Sequence, residues 1–130
     1  MKIVVDTSVI IAVITNEKHK SALVSMTKES DLIAPASLHW EVGNAFSAMF
    51  KRKQIDMEKA LQAVMEYNKI PIQFYDVSLK TAIEYAKDFD MYAYDAYFLV
   101  CARNTKAPIL TLDNSLILKA KEMGIGILEV

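Results

Sequence analysis

Met1-Lys2-Ile3-Val4-Val5-Asp6-Thr7-Ser8 opens the chain, and its reading decides the fold. Ile3-Val4-Val5 is β-branched and free of polar interruption, the pattern of a short strand buried on both faces. Asp6 closes that strand. Thr7-Ser8 then offers N-cap chemistry for a helix over about Val9–Ile14.

The same alternation runs outward along the whole chain. A helix is predicted from about His19 to Glu29, then a strand at Asp31–Ala34 stopped by Pro35. Ser37 is read as the cap of a long helix to about Lys53, and Asp56 as the cap of the next, with Leu61, Val64 and Met65 inside it. Pro71–Tyr75 reads as a third strand, and Ser78 caps a helix reaching about Asp88. A helix from about Ala93 to Thr105 precedes the strand Pro108–Leu112. The last helix runs from Asn114 to about Met123 and ends at Gly124, before the strand Ile125–Leu128. Strands separated by helices imply right-handed crossovers and a mostly parallel sheet covered on both faces.

With 130 residues, residues 1–130 are expected to form a single domain with a core of its own. The hydrophobic share of 53% leaves room for an extra apolar face against a partner or second subunit. One cysteine, Cys101, excludes an internal disulfide framework, suits a reducing compartment, and has the apolar neighbours of an inert helix position. Two histidines, His19 and His39, are too few for a His/Cys zinc site. The apolar opening imitates a secretory signal, but Asp6-Thr7-Ser8 interrupts it, no small-residue cleavage site follows, and no run approaches a membrane span. A cytoplasmic protein is expected. A net charge of −1 argues against a high-affinity, non-specific nucleic-acid binder, though not against an enzyme that meets nucleic acid through a local patch.

Four carboxylates stand where apolar segments begin or stop. Asp6 closes Ile3–Val5, Asp113 closes Ile109–Leu112, Asp95 opens Ala96–Val100, and Glu41 lies just inside the helix of Val42, Ala45 and Phe46. Asp6 and Asp113 end strands, where open parallel sheets build their sites. Each could equally be a helix cap worth about 1 kcal/mol, and Glu41 could be a solvated surface acid. Asp95 is harder to explain away. At about 100° per residue, Leu99 and Ala102 share its side of the helix, so it points inward with no Arg or Lys on that face. An unpaired inward charge costs several kcal/mol and requires a cation or a strong hydrogen-bond partner. Four such acids together require a metal, and oxygen-only ligands select Mg²⁺ or Mn²⁺ over zinc.

Val5-Asp6-Thr7-Ser8, Glu41-Val42-Gly43-Asn44-Ala45, Tyr94-Asp95-Ala96 and Leu110-Thr111-Leu112-Asp113 follow in order across nearly the whole chain. Together they resemble the motifs of PIN-domain nucleases, in particular the VapC toxins of toxin–antitoxin pairs. The resemblance implies a five-stranded parallel sheet in three α/β/α layers, with the strands ending at Asp6 and Asp113 adjacent. It also implies a Mg²⁺- or Mn²⁺-dependent endoribonuclease in which metal-activated water hydrolyses the RNA phosphodiester. By that resemblance Asp6 and Asp95 are the principal metal ligands, and Glu41 and Asp113 complete the site directly or through water. Ser8 and Thr111 would supply supporting hydroxyls, and Asn44 would help orient the site. A small cognate antitoxin, an RNA substrate and a homodimer are the implied partners.

Asp88-Phe89-Asp90-Met91-Tyr92-Ala93-Tyr94 is richer in acids and tyrosines than that pattern leads one to expect. Asp88 and Asp90 are read as solvent-facing, and Tyr92, Tyr94 and Tyr97 as packing or as platforms for RNA bases. Lys51-Arg52-Lys53, Lys18-His19-Lys20 and Arg103 are ambiguous between helix termination and phosphate contact. The competing reading keeps the fold and drops catalysis, leaving an RNA-binding or scaffold module. A receiver or haloacid-phosphatase domain would need a second acid adjoining Asp6 or two residues after it, where Thr7 and Ser8 stand instead.

Overall fold

The computed structural model describes residues 1–130. Five strands alternate with seven helices: β1 Lys2–Val5, α1 Thr7–Ile14, α2 Lys20–Thr27, β2 Asp31–Pro35, α3 Ser37–Lys51 and α4 Met57–Asn68. There follow β3 Ile72–Tyr75, α5 Leu79–Asp88, α6 Ala93–Thr105, β4 Ile109–Leu110, α7 Asn114–Glu122 and β5 Ile127–Leu128. All neighbouring strands pair in parallel, in the order β3-β2-β1-β4-β5. The chain winds outward from β1 through β2 to β3, then returns to the other side of β1 to lay down β4 and β5. Right-handed crossovers therefore place α1–α4 on one face and α5–α7 on the other, and the packing of α1 on α2, α3 and α4, and of α5 on α6, agrees.

Burial explains why the opening stretch dominates. Ile3, Val4 and Val5 are buried in the central strand, between Ile33 of β2 and Ile109 and Leu110 of β4. The core continues through Val9, Ile10, Leu38, Val42, Phe98 and Leu99 on the covering helices. Asp56 and Ser78 cap α4 and α5 by accepting from the Lys59 and Thr81 amides at 2.9 and 3.3 Å. Gly124, at φ +72°, ends α7 with the Gly124 and Ile125 amides turned back on the Lys121 and Ala120 carbonyls, a left-handed closure that glycine adopts without strain.

Several sequence expectations need correction. Thr7 and Ser8 do not cap α1, because the Asp6 carboxylate takes that place. Ser37 does not cap α3, which starts from Ala36 without any side-chain cap. Pro35 lies within β2, paired with Tyr75, rather than beyond its end. β4 is shorter than Pro108–Leu112 because Thr111 and Leu112 leave the ladder: the Leu112 and Asp113 amides donate to the Ser8 and Thr111 hydroxyls at 2.9 and 3.0 Å. β5 begins at Ile127 rather than Ile125, whose amide is spent on closing α7.

Candidate metal centre

β1 and β4 are neighbours, yet one leads to a crossover toward β2 and the other to a crossover toward β5. Their carboxyl ends thus flank the point where the winding reverses, the place where open α/β sheets leave a crevice. Asp6 and Thr111 stand side by side there, each one residue beyond its strand.

Asp6 is the most firmly held of the acids and only 5% exposed. Its Oδ1 accepts from the Ser8 hydroxyl at 2.6 Å and the Val9 amide at 3.2 Å, and its Oδ2 accepts from the Thr111 hydroxyl at 2.5 Å. Both hydroxyl protons are thereby committed, so the 3.3 Å approach of Ser8 to Thr111 is a contact of oxygens and not a further bond. A carboxylate has about four lone-pair sites, which leaves one direction on Oδ2 open. Burial pushes the Asp6 carboxyl above its ordinary range, the bonds from Ser8, Thr111 and Val9 pull it back, and the charge of Asp113 adds to the rise.

Glu41 is the opposite case. It lies half-buried in the second turn of α3, and its Oε2 is buried with no hydrogen-bond partner. Ser37, one turn earlier on the same helix, and Thr7 of α1 bring hydroxyls close enough to favour its charged form. Neither reaches it in hydrogen-bond geometry, and both hydroxyl oxygens are themselves buried and unpaired. Burial raises the Glu41 carboxyl to about 7, with Ser37 and Thr7 opposing and the charges of Asp6 and Asp95 reinforcing the rise. In sequence Thr7 and Ser37 look like helix caps. The i, i+4 spacing of Ser37 and Glu41 was the signal that could have joined them.

Asp95 is half-buried in the first turn of α6 and is raised by burial and then by the charge of Asp113. Asp113 is exposed and caps α7, its Oδ1 accepting from the Ser115 and Leu116 amides at 2.9 and 3.4 Å. Electrostatically the four acids close a ring: Glu41 feels Asp6 and Asp95, and both of those feel Asp113. None joins the three ion pairs of the chain, which link Lys69 to Glu66, Lys80 to Glu84 and Lys119 to Glu122. Asn44 is exposed beyond Glu41, its amide oxygen 3.5 Å from the Ser47 hydroxyl and not on any of the four acids.

As the side chains are oriented, no three acids, histidines or cysteines close on one point tightly enough to hold an ion. Their chemistry nevertheless fits a hard divalent cation: oxygen donors only, an orphaned Glu41 oxygen, an open direction on Asp6 and no basic partner. Carboxylates brought to 4–5 Å repel by about 3–4 kcal/mol at an effective dielectric near 20, a cost that a divalent cation between them would offset.

Other candidate residues prove structural. Arg103 donates to the Met123 carbonyl at the end of α7 and lies 5.7 Å over the Tyr85 ring, which removes it from the phosphate-binding candidates. Cys101 is buried, and burial pushes its thiol up to about 11, which makes it inert. No helix is long and apolar enough to cross a membrane.

The PIN domain family model matches residues 3–122. The chain belongs to the PIN domain family. No curated protein matches it in sequence. Among solved structures, PAE2754 from Pyrobaculum aerophilum superposes with a TM-score of 0.71 at 18% identity, over 92% of this PIN domain chain and 79% of that one. VapBC2 from Rickettsia felis, bound to a DNA fragment from their promoter, gives 0.67 at 15% identity, over 99% and 98%. VapC20 from Mycobacterium tuberculosis, a Sarcin-Ricin loop cleaving toxin, gives 0.67 at 12% identity, over 98% and 99%. At these identities the likeness is one of fold.

Proposed function

We propose that this PIN domain, residues 1–130 as one domain, is a Mg²⁺- or Mn²⁺-dependent endoribonuclease and the toxin of a VapBC-type toxin–antitoxin pair. A small antitoxin restrains it, and it acts as a homodimer on RNA in the cytoplasm. One observation carries the reading: Asp6 stands buried where the sheet's winding reverses, the charges of Asp6 and Asp95 reach Glu41, that of Asp113 reaches Asp6 and Asp95, and none of the four has a basic partner. The fold shared with a toxin that cleaves the sarcin–ricin loop and with a VapBC pair supports the choice of RNA and of an antitoxin.

In this reading Asp6 and Asp95 hold the cation, and Glu41 and Asp113 complete its surroundings. The cation, when bound, acidifies water and neutralises charge growing on the phosphate. Ser8 and Thr111 fix the Asp6 carboxylate through both oxygens, so that its open direction is set before any ligand arrives. Thr7 and Ser37 stand beside Glu41 and favour its charged form without bonding to it.

The test is cleavage of RNA by protein purified free of host nucleases. Cleavage should require Mg²⁺ or Mn²⁺, stop with chelator and vanish in Asp95→Asn while that variant stays folded. Robust cleavage by Asp95→Asn would refute the assignment. The spread of the acids favours one second reading, a catalytically silent RNA-binding or scaffold module. Calorimetric titration with Mn²⁺ separates the two, since a module gives no heat of binding.

A further inference from the structure

Three aromatic side chains close in sequence to Glu41 and Asp95 are largely in solvent: Trp40 at 72%, Tyr92 at 84% and Tyr94 at 61% exposure. A single exposed aromatic is ordinary. Trp40 and Tyr94 differ from that background in two respects. Trp40 immediately precedes Glu41 and Tyr94 immediately precedes Asp95, so each ring springs from a backbone position about 3.8 Å from that of a site acid. Each is also braced by a T-shaped contact with a neighbouring ring.

Trp40 meets His39 at 5.0 Å between centroids and an interplanar angle of 82°. His39 in turn lies 3.4 Å, Nδ1 to hydroxyl, from Tyr67, a buried residue of α4. Tyr94 meets Tyr97 at 6.2 Å and 82°. In both cases the contact holds the ring, and its high exposure leaves most of it open to solvent. Tyr92, though more exposed, has no such brace.

We propose that Trp40 and Tyr94 are stacking platforms for unpaired bases on either side of the phosphate presented to the acids. The proposal rests on the nuclease reading above and gives it a substrate-holding surface. Electrostatics alone cannot supply that surface. The chain carries a net charge of −1, and the acids have no basic partner. The basic run Lys51-Arg52-Lys53 begins 11 residues beyond Trp40, about 16 Å along the helix. Stacking on an aromatic face does not depend on charge or on base identity, and it requires a base that has left its duplex.

Trp40 is the only tryptophan, so its fluorescence reports on this one platform. A single-stranded RNA decamer titrated into Asp95→Asn protein with Mg²⁺ should quench that fluorescence saturably, and a blunt duplex of the same sequence should not. In the active protein, Trp40→Ala should raise KM for the single strand by about tenfold or more with kcat within about twofold, and Trp40→Phe should restore it. Unchanged circular dichroism would establish that both variants fold. Silent fluorescence, equal quenching by the duplex, or an unmoved KM would overturn the inference while wild-type cleavage leaves the nuclease reading intact. Absence of wild-type cleavage, by contrast, removes the nuclease reading itself. Loss of a protein partner by Trp40→Ala, with KM unmoved, would assign the ring to a protein interface and likewise overturn the proposal.

Discussion

Two halves of one crevice treat their carboxylates in opposite ways. On the sheet side Asp6 is almost wholly buried, yet three donors hold its two oxygens. On the helix side Glu41 is less buried and has no hydrogen bond on its inner oxygen, while two hydroxyls beside it are equally unpaired. The sheet side is held in place from within the chain. The helix side leaves its bonding capacity unmet. Rigidity on one side and unmet bonding capacity on the other is how a site can be preshaped for a cation and still bind it with a gain.

The largest expected effect tests that contrast by sign. Asp6→Ala removes the cap of α1 and strands the Ser8 and Thr111 hydroxyls, so it should lower metal-free stability by about 2–4 kcal/mol. Glu41→Gln keeps the shape, removes a charge repelled by Asp6 and Asp95, and lets an amide donate to Thr7 or Ser37. It should raise metal-free stability by about 1 kcal/mol once solvent screening is allowed for. Urea unfolding of the two variants in chelator decides: shifts of the same sign would erase the distinction between the halves.

The fold was legible because its signals are local. Ile3–Val5 shows its double burial in composition, and the helix Ala93–Thr105 shows its stripe, so element order and sheet type followed from pattern alone. What was not legible depends on partners far along the chain. Nothing near Leu112 announces that its amide turns to Ser8, 104 residues earlier, and ends β4. Thr7 and Ser37 mislead for a related reason. A hydroxyl at the start of a helix looks like a cap in sequence, whether it closes the backbone or faces a carboxylate across the crevice. Arg103 reads as a free cation until α7 brings the Met123 carbonyl to it. The strand-end position of Asp6 was visible in sequence, whereas the place of Asp113, three residues beyond the shortened β4, and the orphaned state of Glu41 were not.

An intermediate effect is expected in the pH dependence of the metal-free protein. The Glu41 carboxyl is raised from 4.5 to about 7 on folding, so the folded state holds its proton more tightly than the unfolded chain does. Stability from this group is fully present below about pH 4.5 and is lost as pH rises through 7. Asp6 and Asp95, also raised, add losses of the same sign. A saturating divalent cation favours the charged forms and should flatten the decline. Thermal midpoints between pH 4.5 and 8, with chelator and with Mn²⁺, measure both slopes, and a decline unaffected by Mn²⁺ would remove the acids as its ligands.

The smallest effect is the sharpest discriminator, because it compares one substitution in both halves. Thr111→Val and Thr7→Val each exchange a buried hydroxyl for a methyl of nearly the same volume. Thr111 donates to Asp6 Oδ2 and accepts from the Asp113 amide, so its loss leaves two groups unpaired and should cost about 1–3 kcal/mol. The Thr7 hydroxyl has no bond to lose. Its removal relieves an unsatisfied buried group and withdraws a small support from the charged form of Glu41, so metal-free stability should stay within about 0.5 kcal/mol or rise slightly. Adding Mn²⁺ should then stabilise Thr7→Val less than the parent, since the hydroxyl that favours ionised Glu41 is gone. A cost for Thr7→Val in chelator as large as that for Thr111→Val would mean that Thr7 is bonded within the folded protein, and the helix side would not be waiting for a ligand.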